Sequence, residues 1–129
     1  MSTRTNLRPQ IVINAGSMAG NLTSSPTILQ SLTRVAYSIV WSGTSPVGTL
    51  SIQGSGDYSV DSTGTVLNAG TWTTMTFYVN GAAATSAPVT GNTGNGIIDI
   101  STAVYAIRLV YTRASGTGTM TATINAKVS

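Results

Sequence analysis

Cysteine, histidine and glutamate are all missing from this chain of 129 residues. Without cysteine there is no disulfide, no thiolate metal site and no thiol nucleophile. Without histidine the commonest general base and metal ligand are gone. The only carboxylate side chains are Asp57, Asp61 and Asp99. Charge of either sign is scarce, at 7% of residues, against about 25% in an average soluble domain. No apolar run approaches the roughly 18 residues that span a bilayer, and the opening Met-Ser-Thr-Arg-Thr-Asn lacks the charged-then-apolar pattern of a signal peptide. These absences argue against an enzyme and leave no catalytic, cofactor-binding or metal-binding set to name. They imply a protein made in a cytoplasm, without membrane contact, and soluble or assembled.

What the chain has instead is hydroxyl. Ser and Thr make up roughly 29% of it, far above ordinary usage. The surface is therefore built from hydroxyls, amides and backbone, and so little charge leaves little repulsion between copies. Assembly, including a homo-oligomer, is the expectation. The net charge is +3 and the pI is near 9.7, but the six basic residues are dispersed. Arg4 and Arg8 lie in the N-terminal segment, Arg34 opens a strand, and Arg108, Arg113 and Lys127 lie toward the C-terminus. That is no footprint for specific nucleic-acid binding. The length fits one domain. Residues 1–10 are polar, end in Arg8-Pro9 and read as an extended arm; residues 11–129 read as the domain.

Strand periodicity dominates that domain. Val35, Tyr37, Ile39 and Trp41 alternate onto one face of a strand over residues 33–42. Tyr105, Ile107, Leu109 and Tyr111 do the same over 104–112, and Met120, Ala122, Ile124 and Ala126 over 119–127. Trp72 and Phe77 are bulky anchors in a strand over 72–79. The predicted core anchors are Tyr37, Ile39, Trp41, Trp72, Phe77, Ile107, Leu109 and Tyr111. One pattern occurs twice: an apolar run, Ser-Gly-Thr, a Gly-Thr pair, then a second alternating run, over 36–53 and again over 107–126. It reads as two β-hairpins, one near each end of the domain. About eight strands with no helix predict an all-β, antiparallel sandwich of the jelly-roll kind, with an immunoglobulin-like sandwich as nearest rival.

Few motifs point to chemistry. Asp57, at the end of the Gly-rich turn 54–57, and Asp61, four residues on, suggest a calcium site, but two carboxylates are few for such a cage, and turn-forming aspartates bond their own backbone. Residues 91–96 imitate a phosphate loop without its Gly-Lys-Ser/Thr ending or a following helix. The aromatics Trp41, Trp72, Tyr58, Tyr78, Tyr105 and Tyr111 would stack on sugars only if several were exposed together; core packing is their other reading. Arg108, between Ile107 and Leu109, is either a snorkelling residue on an outer sheet face or a contact to a neighbouring subunit. The row Thr119, Thr121, Thr123 reads as a solvated sheet face or as an interface where hydroxyls pair between subunits.

The segment Ser38-Ile39-Val40-Trp41-Ser42-Gly43-Thr44, followed by Pro46-Val47-Gly48-Thr49-Leu50-Ser51-Ile52-Gln53, resembles small β-sandwich virion proteins of tailed bacteriophages. So does Tyr105-Ala106-Ile107-Arg108-Leu109-Val110-Tyr111-Thr112-Arg113 followed by Ser115-Gly116-Thr117-Gly118-Thr119, with Trp72-Thr73 between and Met18-Ala19-Gly20-Asn21-Leu22-Thr23-Ser24 before. The resemblance covers most of residues 17–127 and agrees least over 54–100. It implies a non-enzymatic virion structural protein, either a capsid decoration or cement subunit or a tail accessory. Its implied partners are the major capsid protein or other virion proteins; the polar arm, with Arg4 and Arg8, and one sheet edge are the expected contacts, with Arg108 and Arg113 as further contact residues. The alternative is a tail-associated or surface module binding a glycan or receptor through loops 54–57, 61–70 and 81–96.

Overall fold

In the computed structural model, residues 6–30, 32–79 and 81–128 are described. Among them are twelve strands and no helix. They are β1 (Asn6–Ser17), β2 (Leu22–Thr23), β3 (Thr27–Ile28), β4 (Arg34–Ser55), β5 (Ser59–Val60), β6 (Val66–Asn68), β7 (Thr73–Met75), β8 (Phe77–Val79), β9 (Ala82–Ala84), β10 (Ala87–Val89), β11 (Thr93–Ser101) and β12 (Ala106–Lys127). The all-β, antiparallel architecture expected from the alternation is present. The strands exceed the expected eight because several are two- or three-residue pieces.

Two strands organise everything. β4 and β12 are each 22 residues long and pair antiparallel along their whole length, from Arg34 opposite Lys127 to Ser55 opposite Ala106. Straight, such a strand would span about 70 Å, roughly twice the width of a compact domain of this length. The exposed surface is 6885 Å², close to the roughly 6,400 Å² of a compact monomer of this mass. The ribbon must therefore bend, and its burial pattern records where. In β4 the buried positions are odd-numbered through Val35, Tyr37, Ile39 and Trp41, then even-numbered through Pro46, Gly48, Leu50 and Ile52. In β12 they switch from Ile107, Leu109 and Tyr111 to Met120, Ala122, Ile124 and Ala126. Both switches fall in the segments where residues 43–48 lie against residues 113–118, with register shifts between Arg113 and Ser115 and between Ser115 and Thr117.

The bend corrects the reading of two hairpins. The Ser-Gly-Thr segments do not reverse the chain; each lies inside a long strand, and the two face each other. Turn-forming residues serve equally where a continuous strand must bulge and change direction. Ser45 and Gly116 take positive φ, 47° and 81°. A side chain on Gly116 would run into the Ser45 carbonyl and the Pro46 Cα, and one on Gly43 into the Thr117 carbonyl and the Gly118 Cα. Only glycine lets the backbones approach this closely.

The two halves of the ribbon are the centres of two layers. In the first layer β12 pairs β1, β4 pairs β11, and β8 and β9 follow. In the second, β2 and β3 flank β12 while β7 and β10 flank β4. Strands that change layer make the corners. The single strand expected over 72–79 is one of these: β7 joins the second layer, and two residues later β8 joins the first. One continuous core lies between the layers and takes residues from both arms of both long strands. Tyr37, Ile39, Trp41, Phe77, Ile107, Leu109 and Tyr111 are buried in it.

The boundary drawn at residue 10 moves. Residues 6–10 open β1, where Asn6, Leu7 and Gln10 lie opposite Lys127, Ala126 and Ile124. Residues 1–5, with Arg4, lie outside the described residues. Asn80, which with Gly81 reads in the sequence as a turn signal, also lies outside the described residues; the flanking β8 and β9 pair antiparallel, with Val79 opposite Ala82.

Candidate interaction surfaces

The register of the first layer decides what its outer face presents. Opposed residues in neighbouring strands point to the same side. One row reads Ile11, Thr123, Ser38, Ile97; the next Thr121, Val40, Asn95; the next Ser17, Thr119, Ser42, Thr93. These rows contain no ionisable side chain. Toward the other end come Asn125, Ala36, Asp99, Tyr78 and then Lys127, Arg34, Ser101. The expected threonine row Thr119, Thr121, Thr123 thus stands in the middle of a face of hydroxyls, amides and bare aliphatic groups. Beside it, a cleft of about 690 Å³ opens between β11 and β10 and is lined by Trp41, Leu50, Val79, Pro88, Ile97 and Ile98, among others.

The second layer's outer face is treated differently. The chain between β4 and β7 doubles back over it. Ser55 is 2% exposed; its Oγ donates to Asp57 Oδ1 at 2.8 Å and accepts from the Tyr58 amide at 3.1 Å. Asp57 Oδ1 also accepts from the Thr71 amide at 2.7 Å. Those bonds hold the excursion shut, and they hold the Asp57 carboxyl below its ordinary value, the Thr71 amide contributing most. Asp61 turns the β5–β6 ribbon by accepting from the Thr63 hydroxyl and amide and from the Thr65 amide, which lower its pKa likewise. Both aspartates thus serve local turns, and no group of three or more acidic, His or Cys side chains suited to a metal occurs among the described residues.

Trp72 belongs to this excursion, which corrects its assignment to the core. It is half-buried on the outer face, where its Nε1 donates to the Ala69 carbonyl at 2.8 Å and its ring sits 5.7 Å from that of Tyr58. The Arg108 guanidinium lies 4.2 Å from the indole centroid, and Arg108 Nε donates to Gln53 Oε1 at 2.8 Å. An indole in the core would have left its N–H without an acceptor or displaced an aliphatic side chain; outside, it meets a carbonyl, a cation and a second ring.

Of the four arginines expected as contacts, the three that are described do not converge. Arg108 is stacked beneath Trp72. Arg113 ties the bend, its Nε donating to the Gly116 carbonyl at 2.9 Å and its amide to Asn21 Oδ1 at 2.8 Å. Arg8 is exposed on β1, and Arg4 falls outside the described residues. Sequence reasoning passed over Val40, Ile97 and Tyr78 as a surface. The alternation already placed Val40 opposite in direction to Trp41; what it lacked was the pairing with β11 that sets Ile97 beside it.

No family model matches this chain, and no curated protein sequence matches it. Its fold has been seen before. The crystal structure of the SPBc2 prophage-derived protein YomS superposes with a TM-score of 0.60, covering 97% of this chain and 98% of that one at 12% sequence identity. At that identity the likeness to YomS is one of fold, and it extends over nearly the whole of both chains.

Proposed function

We propose that this protein is a non-enzymatic structural component of a tailed-phage virion, most specifically a capsid decoration or cement subunit that stabilises the head by contacting capsid subunits. The observation that carries the reading is the whole-chain likeness of fold to a prophage-derived protein. The phage-type motifs at 38–53 and 108–119 support it, because they coincide with the two strands that build the fold. A largely uncharged, hydroxyl-rich surface suits a subunit whose work is contact rather than turnover. Its partners would be the major capsid protein or other virion proteins and further copies of itself, with no specific nucleic acid and no membrane. Multiple copies on a symmetric shell would add avidity to individually weak contacts.

The test is the copy number of the protein in purified virions, by quantitative mass spectrometry against the major capsid protein. A ratio matching the shell lattice is expected; absence from virions overturns the reading. A handful of copies per particle would favour the second reading, a tail-associated module binding a glycan or receptor. The Tyr58–Trp72 pair beside loops 54–57 and 61–70 favours that alternative, and loss of glycan-array binding in Trp72→Ala would support it. The arm idea needs a shorter deletion than its first boundary implies. Removing residues 1–5 leaves the described part of β1 in place, whereas removal to residue 10 also strips pairing from β12.

A further inference from the structure

We infer that the outer face of the first layer is a homotypic interface: two copies of this chain pack these sheets face to face, with their strands running antiparallel. The inference does not rest on the virion reading. Its starting point is an apolar stripe. Val40, Ile97 and Tyr78 are 56%, 65% and 45% exposed, and Ile11 at the far strand is 60% exposed. Val40 faces Asn95 and Ile97 faces Ser38, so Val40 and Ile97 are diagonal neighbours; Tyr78, opposite Asp99, continues the diagonal onto β8. Diagonal side chains on adjacent strands are within reach of one another. The stripe is bordered by Thr119, Thr121, Thr123, Ser38 and Asn95, an apolar centre within a hydroxyl and amide rim.

Area selects a second copy as the occupant. Four strands about 4.8 Å apart with nine residues at about 3.3 Å each, and the three residues of β8 beside them, give a face of roughly 600 Å². That lies at the lower end of the roughly 600–1,000 Å² per partner of standard stable interfaces. Charge selects the orientation. The charged groups on the strand rows of this face gather at one end, as Arg34, Lys127 and Asp99, and the rows through Thr123, Thr121 and Thr119 have none. A two-fold axis along the strands would stack Arg34 and Lys127 of one copy near those of the other. An axis across the strands instead lays that end over Ser42, Thr93 and Thr119 of the partner copy, and brings Ile97 over its own counterpart. Aligned sheet packing accommodates this geometry with the usual small angle between strand directions.

The experiment is sedimentation velocity on the full chain over ~1–100 μM, with the doubly substituted V40K/I97K beside it. The wild type is expected to dimerise in that range, and V40K/I97K to weaken association at least about 100-fold while keeping its far-UV spectrum. Because the chain has no cysteine, single cysteines give a second readout that survives any folding failure of the lysine variant. Ile97→Cys is expected to oxidise to a disulfide-linked dimer at least about 10-fold faster than Thr112→Cys, which sits exposed on the other layer. A wild type that stays monomeric at 100 μM overturns the inference and leaves the face to another protein. So does an Ile97→Cys that cross-links no faster than Thr112→Cys.

Discussion

The two outer faces of the sandwich are built on opposite halves of the same two strands, yet they are finished differently. On the second layer the chain supplies its own cover: Arg108 is stacked under Trp72, Ser55 is roofed by the 56–72 excursion, and Asp57 closes the loop. On the first layer nothing in the described chain covers Val40 and Ile97. The difference separates groups satisfied within the chain from groups the chain leaves bare. One face has polar and aromatic groups already satisfied within the chain, so altering them should cost folding stability. The other holds apolar groups that are exposed in the single chain, so altering them should cost association and spare the fold.

The largest effect is expected where both faces begin. Gly116→Ala puts a methyl group against the Ser45 carbonyl at a positive φ and should destabilise by about 3 kcal/mol. That lowers Tm by about 10 °C and perturbs both faces together. A variant as stable as wild type in a thermal melt would mean that the bend does not depend on this close approach. Arg108→Ala comes next. It removes the stack on Trp72 and the bond to Gln53, together worth about 1–2 kcal/mol at a partly exposed site. Val40→Ser on the bare face should stay within about 0.5 kcal/mol of wild type. Equal losses in denaturant titrations of the two variants would erase the contrast between the faces.

The smallest effect is a matter of pH. Hydrogen bonds hold the Asp57 carboxyl below its ordinary value, so the unfolded chain takes up that proton more readily than the folded one. Its contribution to stability is complete above the unfolded value and is lost as pH falls through the folded one. Asp57→Asn should therefore melt slightly below wild type at neutral pH, and the gap should narrow as pH falls below about 4. A gap that does not narrow at all below that pH would show that Asn fails there for a reason other than charge.

Much of this was legible in the residues. Alternation alone marked most of the buried faces of both long strands: Val35, Tyr37, Ile39 and Trp41, then Ile107, Leu109 and Tyr111, then Met120, Ala122 and Ile124; Tyr105, grouped with them, is exposed because it precedes the start of β12. It did so because side-chain direction in a strand repeats every two residues whatever the partner is. The assignment of Trp72 to the core failed because a large aromatic is apolar in its body and polar at its N–H. Which property governs depends on whether an acceptor and a cation lie nearby, and both come from elsewhere in the chain. The apolar stripe was illegible for a related reason: Val40 and Ile97 are 57 positions apart and become neighbours only through pairing.

Local sequence therefore determined the class of the protein, the alternating cores of its long strands and which side of those cores is wet, because those follow from composition and a two-residue period. Tertiary structure alone decided what the repeated Ser-Gly-Thr segments do. Read singly, each is a good hairpin turn; set against each other across the ribbon, both become the bend that folds one sheet into two layers. The physical reason is that a glycine-rich segment permits many backbone paths at similar local cost, and the choice among them falls to the long-range pairing of β4 with β12 and the core that pairing encloses.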